Sequence, residues 1–383
     1  MHRIIVFAIP IFALLIAIEF IYGLIKKHNT YRFHDTISSL SQGLLSQVTA
    51  VCTQLFQIGL YTLIFPHVAL IHNENLWDSW YGWLLAVLLY DFFDYWLHRV
   101  GHKSAVFWAA HVVHHQSKHF NFSTALRQES AYALLGWIFY LPLAVAGIPP
   151  EIYGIAGLIV LLYQFWIHTE HIGKLGWFDT IFSTPSNHRV HHAVNDRYID
   201  KNYGAILILW DRMFGTFEPE TEPCIYGTRP ALRGWDPLNA IIHVYSDLTR
   251  QIVRTDRWID KCRILFKPPG WQPISQDTPQ DDSRTSLTNI EPGIETNEDI
   301  HVLQINQYWS ATVLFVLSLV AVGWFLWCAE DMSLTADYLV ATGAFGALWG
   351  VGAILDNRLS ATSGSLISIL ATCLTFLSCH IRS

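Results

Sequence analysis

Three short stretches of the chain carry histidines at spacings that can do chemistry. His98-Arg99-Val100-Gly101-His102 is an HxxxH box; His111-Val112-Val113-His114-His115 and His188-Arg189-Val190-His191-His192 are both HxxHH. Residues three and four apart share one face of a helix, so each box presents its imidazoles in one direction. Convergent neutral imidazoles bind iron, zinc or copper. The run His168-Thr169-Glu170-His171 adds His168 and His171 as further candidate ligands. Together these imidazoles are too many for one ion, since tetrahedral zinc takes about four ligands and an octahedral ion about six. Two metal ions are the natural count. All-histidine ligation suits zinc as well as iron, so spacing alone leaves the metal open.

A lone HxxxH is commonly exposed polar surface, but two HxxHH boxes beside it are not explained that way. Asp91, Asp94, His98 and His102 fall on one helical stripe. Asp91 and Asp94 are read as site carboxylates that accept the second ring N–H of ligand histidines, fixing tautomer and basicity. The competing reading pairs them with Arg99 or another buried cation. Glu170 is a third candidate, for binding a reductant or moving protons, with a salt bridge to a neighbouring arginine as its alternative.

The composition says what kind of scaffold positions these groups. Of 383 residues, 52% are hydrophobic and 14% charged, against about 25% charged in soluble domains. Mean hydropathy is +0.28. These values exclude a purely soluble enzyme and a disordered chain, and the net charge of −7 argues against a nucleic-acid partner. The six cysteines are scattered and read as buried apolar residues, not a disulfide framework.

A helix needs roughly 17–25 apolar residues to cross a bilayer. The segments Ile4–Ile25, Val48–Ile71, Trp80–Leu97, Ala131–Gly147, Ile152–Ile167, Tyr308–Cys328, Ala336–Leu355 and Ala361–His380 qualify or nearly so. The expected fold is an all-α integral membrane protein of about eight spans. The first segment reads as an anchor rather than a cleavable signal. With these spans, 22 of the 24 Lys and Arg, all but Arg3 and Arg382, fall on one side, which the positive-inside rule makes cytoplasmic. The histidine boxes lie at that face. The expected location is the inner membrane in a bacterium or the endoplasmic reticulum in a eukaryote. Four regions follow: anchor helices over 1–79, a catalytic region over 80–267, a polar linker over 268–300 and a three-helix bundle over 301–383. Ala205–Trp210 is too short to span and reads as an interfacial or re-entrant helix, and Asn239–Arg254 has helical apolar spacing. Gly343, Gly346, Gly350 and Gly352 sit inside a span, where small residues serve close helix packing.

The boxes resemble those of the membrane fatty acid hydroxylase and sterol desaturase superfamily. Further stretches sharpen the likeness: Trp80 to His102, Asn121 to Gln128 (NFSTALRQ), Tyr163 to Glu170 (YQFWIHTE), Tyr198 to Phe217 (YIDKNYGAILILWDRMFGTF) and Phe266 to Trp271 (FKPPGW). They are most similar to the branch that cleaves ether lipids. The resemblance implies a dimetal, usually diiron, centre held by His98, His102, His111, His114, His115, His188, His191 and His192. His168 matches that branch's IHTE, whereas His171 lies where it has no histidine. Molecular oxygen as co-substrate and tetrahydrobiopterin as reductant are implied as well. The implied activity is hydroxylation of the carbon beside the ether oxygen of an alkylglycerol; the hemiacetal collapses to fatty aldehyde and glycerol. The expected partners are a membrane lipid substrate and an external electron donor, since the chain has no haem signature and no flavin fingerprint. Zinc could replace iron in an isolated preparation. Two alternatives stand beside this reading: a hydroxylase or desaturase of fatty acyl, sterol or carotenoid lipids, and a metal carrier or sensor without catalysis.

Overall fold

The computed structural model describes residues 2–53, 56–273 and 303–378. These residues are helical or irregular, with no named strand among them and two isolated bridges, Phe182 to Leu207 and Ala193 to Tyr226. The front of the chain forms α1 (His2–Ile25), α2 (Phe33–Cys52), α3 (Phe56–Val68) and the single turn α4 (Glu74–Trp77). Next come α5 (Trp80–Lys103), α6 (Ala105–His115), the one-turn α7 (Phe122–Ala125), α8 (Tyr132–Gly136), α9 (Leu141–Val145) and α10 (Pro150–Trp166). Short helices α11 (Phe178–Ile181), α12 (Pro185–His192) and α13 (Leu209–Phe214) follow, then α14 (Pro237–Arg254) and α15 (Trp258–Phe266). The chain closes with α16 (Ile305–Cys328), α17 (Leu334–Leu355) and α18 (Ala361–Ser378).

Among the described residues, four segments are long and apolar enough to cross a membrane: Val6–Ile25, Phe33–Val68, Ile305–Asp331 and Leu334–Leu355. Along α1 Phe7, Ile11, Leu14, Ile18 and Ile25 are exposed, as a lipid-facing helix requires. The chain is an integral membrane protein. The remaining expected spans depart from simple transmembrane helices for visible reasons. α5 is long enough, but Asp91, Asp94 and Arg99 lower its apolarity. The segment after Ala131 breaks into α8, a 3-10 turn over Trp137–Tyr140 and α9. Pro150–Trp166 and Ala361–Thr375 are apolar but shorter than the rest. Gly147 makes the turn between α9 and α10 at φ +79°, where an added Cβ would lie 2.0 Å from the Ile71 carbonyl oxygen.

Two main cores hold the helices. One joins α2, α16 and α17 through Leu45, Val48, Phe325 and Leu348. The other joins α3, α5, α9 and α10 through Tyr61, Tyr90, Leu143 and Tyr153. The Ala205–Trp210 segment is not a helix along its length; α13 begins only at Leu209. Asp91 is the reason: its carboxylate accepts from the backbone N–H of Ile206 (2.7 Å) and Leu207 (3.1 Å) and from the Trp210 indole (2.8 Å), pinning an extended approach to α5. α14 matches its expected span and begins at Asp236, which caps the N–H groups of Leu238 and Asn239. Of the polar linker, residues 274–300 lie outside the described residues.

Gly343, Gly346 and Gly350 of α17 meet α18, as close helix packing requires, while Gly352 meets Asp236 and Pro237 at the start of α14. A Cβ at Gly343 would stand 2.5 Å from Thr375 Oγ1 and 2.7 Å from the Ala371 carbonyl oxygen, and one at Gly350 2.3 Å from Ser368 Oγ. Gly343→Leu is therefore expected to lower stability by about 1–3 kcal/mol through overpacking. Its thermal unfolding in detergent should shift downward while its bound metal per folded protein stays at the parent value.

Candidate metal centre and lipid cavity

The boxes converge because α5 turns back into α6 at Ser104, where Ala105 N–H donates to the Lys267 carbonyl (2.9 Å). α12 then approaches both. It starts at Thr184, whose side chain accepts from Asn187 N–H, with Pro185 in the first turn. The ring nitrogens of His98, His102, His111, His115 and His191 lie within 4.8 Å of one another, and those of His114, His168, His188 and His192 do likewise. All nine side chains are buried. His171 joins neither group. Its ring packs on Tyr22 and His28, with centroids 5.2 and 5.5 Å away.

Backbone carbonyls fix the tautomers. His98 Nδ1–H donates to Tyr203 O (2.7 Å), His114 to Arg127 O (3.0 Å), His168 to Gln164 O (2.7 Å) and His191 to Lys201 O (3.0 Å). A neutral ring that donates through Nδ1 has only a lone pair at Nε2. His114 and His168 therefore turn two lone pairs on each other at an Nε2–Nε2 distance of 3.3 Å. His188 Nε2 lies 3.0 Å from His168 Nε2 and 3.2 Å from His192 Nε2. In the other group His111 Nε2 lies 3.1 Å from both His98 and His115. The buried Nε2 atoms of His102 and His191 have no hydrogen-bond partner. With metal–nitrogen bonds of about 2.0–2.1 Å, adjacent ligands stand about 2.8–3.0 Å apart in an octahedron and about 3.3–3.4 Å apart in a tetrahedron. The donor set fits two metal ions, one per group.

Burial keeps the rings neutral, the form that binds metal. It pulls His111 down to about 3 and His114 to about 4. His115, His188 and His192 fall well below the ordinary histidine range, by burial first and neighbouring rings second.

The carboxylates are distributed differently from the sequence expectation. Neither aspartate holds a histidine. Asp91 serves the Ile206–Trp210 segment, and Asp94 accepts from the Tyr140 hydroxyl at 2.6 Å. The carboxylate on a box histidine is Glu129, whose Oε1 lies 2.5 Å from His111 Nδ1; burial raises its pKa while His114 and His98 favour its ionised form. Asp200 Oδ1 lies 3.8 Å from His102 Nδ1. Glu170 pairs with His28 at 3.3 Å, not with an arginine. Burial raises its pKa, opposed by His28 and then Arg189. Glu129 carried one sequence signal, a lone acid placed just before an apolar run.

The run Asp200-Lys201-Asn202-Tyr203 has a local task. Asp200 and Asn202 adopt φ of 62° and 55°, a region that Asn and Asp tolerate best among side chains. The resulting turn aims the Lys201 and Tyr203 carbonyls at His191 and His98. Asp211, fully buried, holds it by accepting from the N–H of Tyr203 (2.8 Å) and Gly204 (2.7 Å) and the Thr216 hydroxyl (2.6 Å). On the opposite flank, buried Arg127 donates to Val113 O (2.6 Å) and Gln116 Oε1 (2.9 Å) while its own carbonyl receives His114.

A cavity of about 350 Å³ abuts both groups: His98 and His111 from one, His114 and His168 from the other. Gln128, Glu129 and Gln164 also line it, together with Leu97, Ala133, Leu158 and Leu161 and the rings of Tyr90, Tyr140 and Tyr153. Asp94 also faces it; Asp91 and Glu170 do not. A larger cavity of about 710 Å³, lined by residues such as Trp77, Asp78 and Glu151, contains no box histidine.

A buried dimetal-type donor set in a helical membrane scaffold defines the class, and the comparisons agree with it. Residues 83–216 match the model for the fatty acid hydroxylase family. The chain is similar to alkylglycerol monooxygenases of several animals. It is 38% identical to the Homo sapiens alkylglycerol monooxygenase over 280 residues, covering 71% of this chain and 62% of that protein. The Danio rerio relative is 40% identical over 267 residues, covering 70% and 59%, and the Xenopus tropicalis relative 39% over 262, covering 68% and 58%. The matched stretch thus spans about three fifths of these relatives' length. No solved structure matches the chain.

Glu129→Gln removes the carboxylate behind His111 and is expected to weaken metal binding roughly 10–100-fold. Asp211→Asn should act in the same direction by loosening the Tyr203 turn. Metal content after dialysis against graded chelator, measured by elemental analysis, checks both.

Proposed function

We propose that the chain is an oxygen-dependent membrane diiron monooxygenase that hydroxylates a lipid C–H bond, with the carbon beside the ether oxygen of an alkylglycerol as its target. The observation that carries this reading is the cavity that abuts both histidine groups and continues between apolar walls. A carrier or sensor would have no need of an apolar chamber walled by both ion sites. Bound iron supplies the activation of molecular oxygen. His98, His102, His111, His115 and His191 would hold one ion, and His114, His168, His188 and His192 the other. His171 is left out of the ligand set, consistent with its packing on Tyr22 and His28.

The chain's own groups then orient the lipid. Leu97, Leu158 and Leu161 exclude water from the alkyl chain, while Gln128 and Gln164 offer hydrogen bonds to a glycerol head beside the histidines. Asp94 faces the substrate, Asp91 positions the Ile206–Trp210 segment, and Glu170 at the outer rim serves the electron donor. Tetrahydrobiopterin is the donor that the family resemblance favours. Zinc is the ion most apt to replace iron on isolation, since the all-histidine set accepts it. Collapse of the hydroxylated ether carbon yields fatty aldehyde and glycerol.

The membrane reading is eight spans with the histidine face toward the cytoplasm, supported by the one-sided placement of Lys and Arg. The catalytic region is 80–267, preceded by the anchors of 1–79 and followed, beyond the 268–300 linker, by the bundle of 301–383. The location is the inner membrane or the endoplasmic reticulum according to the cell.

Purified protein loaded with iron should convert a 1-O-alkylglycerol to fatty aldehyde only with oxygen and a reductant. His114→Ala should abolish turnover and lower metal content. A new hydroxyl or double bond on an acyl or sterol lipid, with alkylglycerol untouched, would replace the substrate assignment. Absence of oxygen-dependent turnover on every lipid class would favour the carrier reading. For orientation, Cys262 is exposed on α15. With the other cysteines replaced by Ser, a membrane-impermeant maleimide should label it from the cytoplasmic side alone.

A further inference from the structure

The far end of the lipid cavity is closed by aromatic rings that no part of the chemistry requires. Tyr90 stacks on Tyr140 with centroids 4.6 Å apart and lies 5.5 Å from Tyr153, which stacks on Tyr61 at 3.9 Å. Their hydroxyls are tied down: Tyr140 to Asp94 (2.6 Å), Tyr153 to Gln57 (2.6 Å) and Tyr61 to the Ile148 carbonyl (2.8 Å). The block is therefore rigid and has no loose polar group to offer an alkyl terminus. Opposite it, α10 is bare at Gly154 and Gly157, both in the cavity wall. A Cβ at Gly157 would stand 2.8 Å from the Tyr90 hydroxyl and 2.9 Å from its ring carbon Cζ. Tyr90 keeps its position only because Gly157 has no side chain.

The helix supplies a scale. From His98 back to Tyr90 α5 advances about 12 Å, and from Trp166 back to Gly157 α10 advances about 14 Å, at 1.5 Å per residue. One leaflet of hydrocarbon is about 15 Å deep. The tyrosine block thus stands nearly a leaflet's depth from the histidines, where the far end of an alkyl chain held beside α10 would arrive.

We propose that Gly157 and the Tyr90–Tyr140–Tyr153 block form the stop that sets the longest alkyl chain the site accepts. This rests on the lipid-monooxygenase reading above for the position of the reacting carbon at the histidine end. Gly157→Ala forces the Tyr90 ring toward the lumen and shortens the usable length. Tyr90→Leu removes the ring and lengthens it.

The test measures kcat and KM for a series of saturated 1-O-alkylglycerols of increasing length, in the parent enzyme and both variants. The ratio of kcat/KM for long over short chains does not depend on how much protein is active. It is expected to fall roughly tenfold for Gly157→Ala and rise by a similar factor for Tyr90→Leu, the scale of one methylene gained or lost in an apolar pocket. Binding of the same series to the metal-loaded protein in detergent, without oxygen or reductant and followed by tryptophan fluorescence, should show the same displaced length limit. If one variant does not fold, the other decides. Length profiles that coincide with the parent in both turnover and binding would overturn the stop. If the parent turns over no alkylglycerol yet the binding limit moves with the variants, the stop stands and the assigned reaction falls.

Discussion

The rest of the structure depends on keeping several bare imidazole nitrogens face to face without water. His114 and His168 each spend their one N–H on a backbone carbonyl, so the nitrogens that meet at 3.3 Å both carry lone pairs. Buried polar atoms left unpaired cost free energy, commonly about 1–3 kcal/mol each. A cation between them turns that repulsion into ligation, and folding of the site and metal binding become one equilibrium. Acid and metal compete for the same nitrogens, and burial hands the advantage to metal by lowering the affinity for protons.

Everything around the histidines serves to aim them. The carbonyls that fix the rings come from separated places in the chain: Arg127 after α7, Gln164 within α10, and Lys201 and Tyr203 in the turn before α13. That turn holds two residues at positive φ, with a cost on the order of 1 kcal/mol or more each. Asp211 offsets it with three hydrogen bonds from buried donors. Even the first helix takes part. Buried Glu19 accepts from the Phe122 N–H at 2.8 Å and from the hydroxyls of Tyr31 and Thr169, so the membrane anchor is bolted to the residue following His168.

The scaffold is a membrane protein whose centre resembles a polar enzyme core. Aspartates lie inside α5 because each has a defined task, and their burden on apolarity keeps α5 from qualifying as a simple span. Elsewhere the helices separate into two packed cores. Within the first of these, the Leu355–Arg358 turn meets the start of α14: Asp356 accepts from Trp235 N–H (2.5 Å) and Arg358 pairs with Asp236 (2.5 Å). That contact joins the C-terminal bundle to the cap of α14.

The sequence by itself determined which histidines could gather and the solvent they live in. Imidazole spacing of three and four is a local property of helices, and apolar runs report burial in lipid or protein regardless of the partner. Nine of the ten histidines singled out by spacing or proximity sit in the two groups. The small-residue face of α17 and the extent of α14 were legible for the same reason. Only the tertiary structure decided who stands behind the ligands. Asp91 and Asp94 share a stripe with His98 and His102, yet a side chain's partner is set by what packs across from it, and that was the Ile206–Trp210 segment and Tyr140. Glu129 reached His111 because α8 folds back over α6, a fact no spacing records. His171 lies only three residues beyond His168, but the chain has left its helix there, and helical proximity in sequence no longer means a shared face. The division of the histidines into five and four, and the lipid-sized cavity against both, likewise exist only once α5, α6, α10 and α12 are brought together.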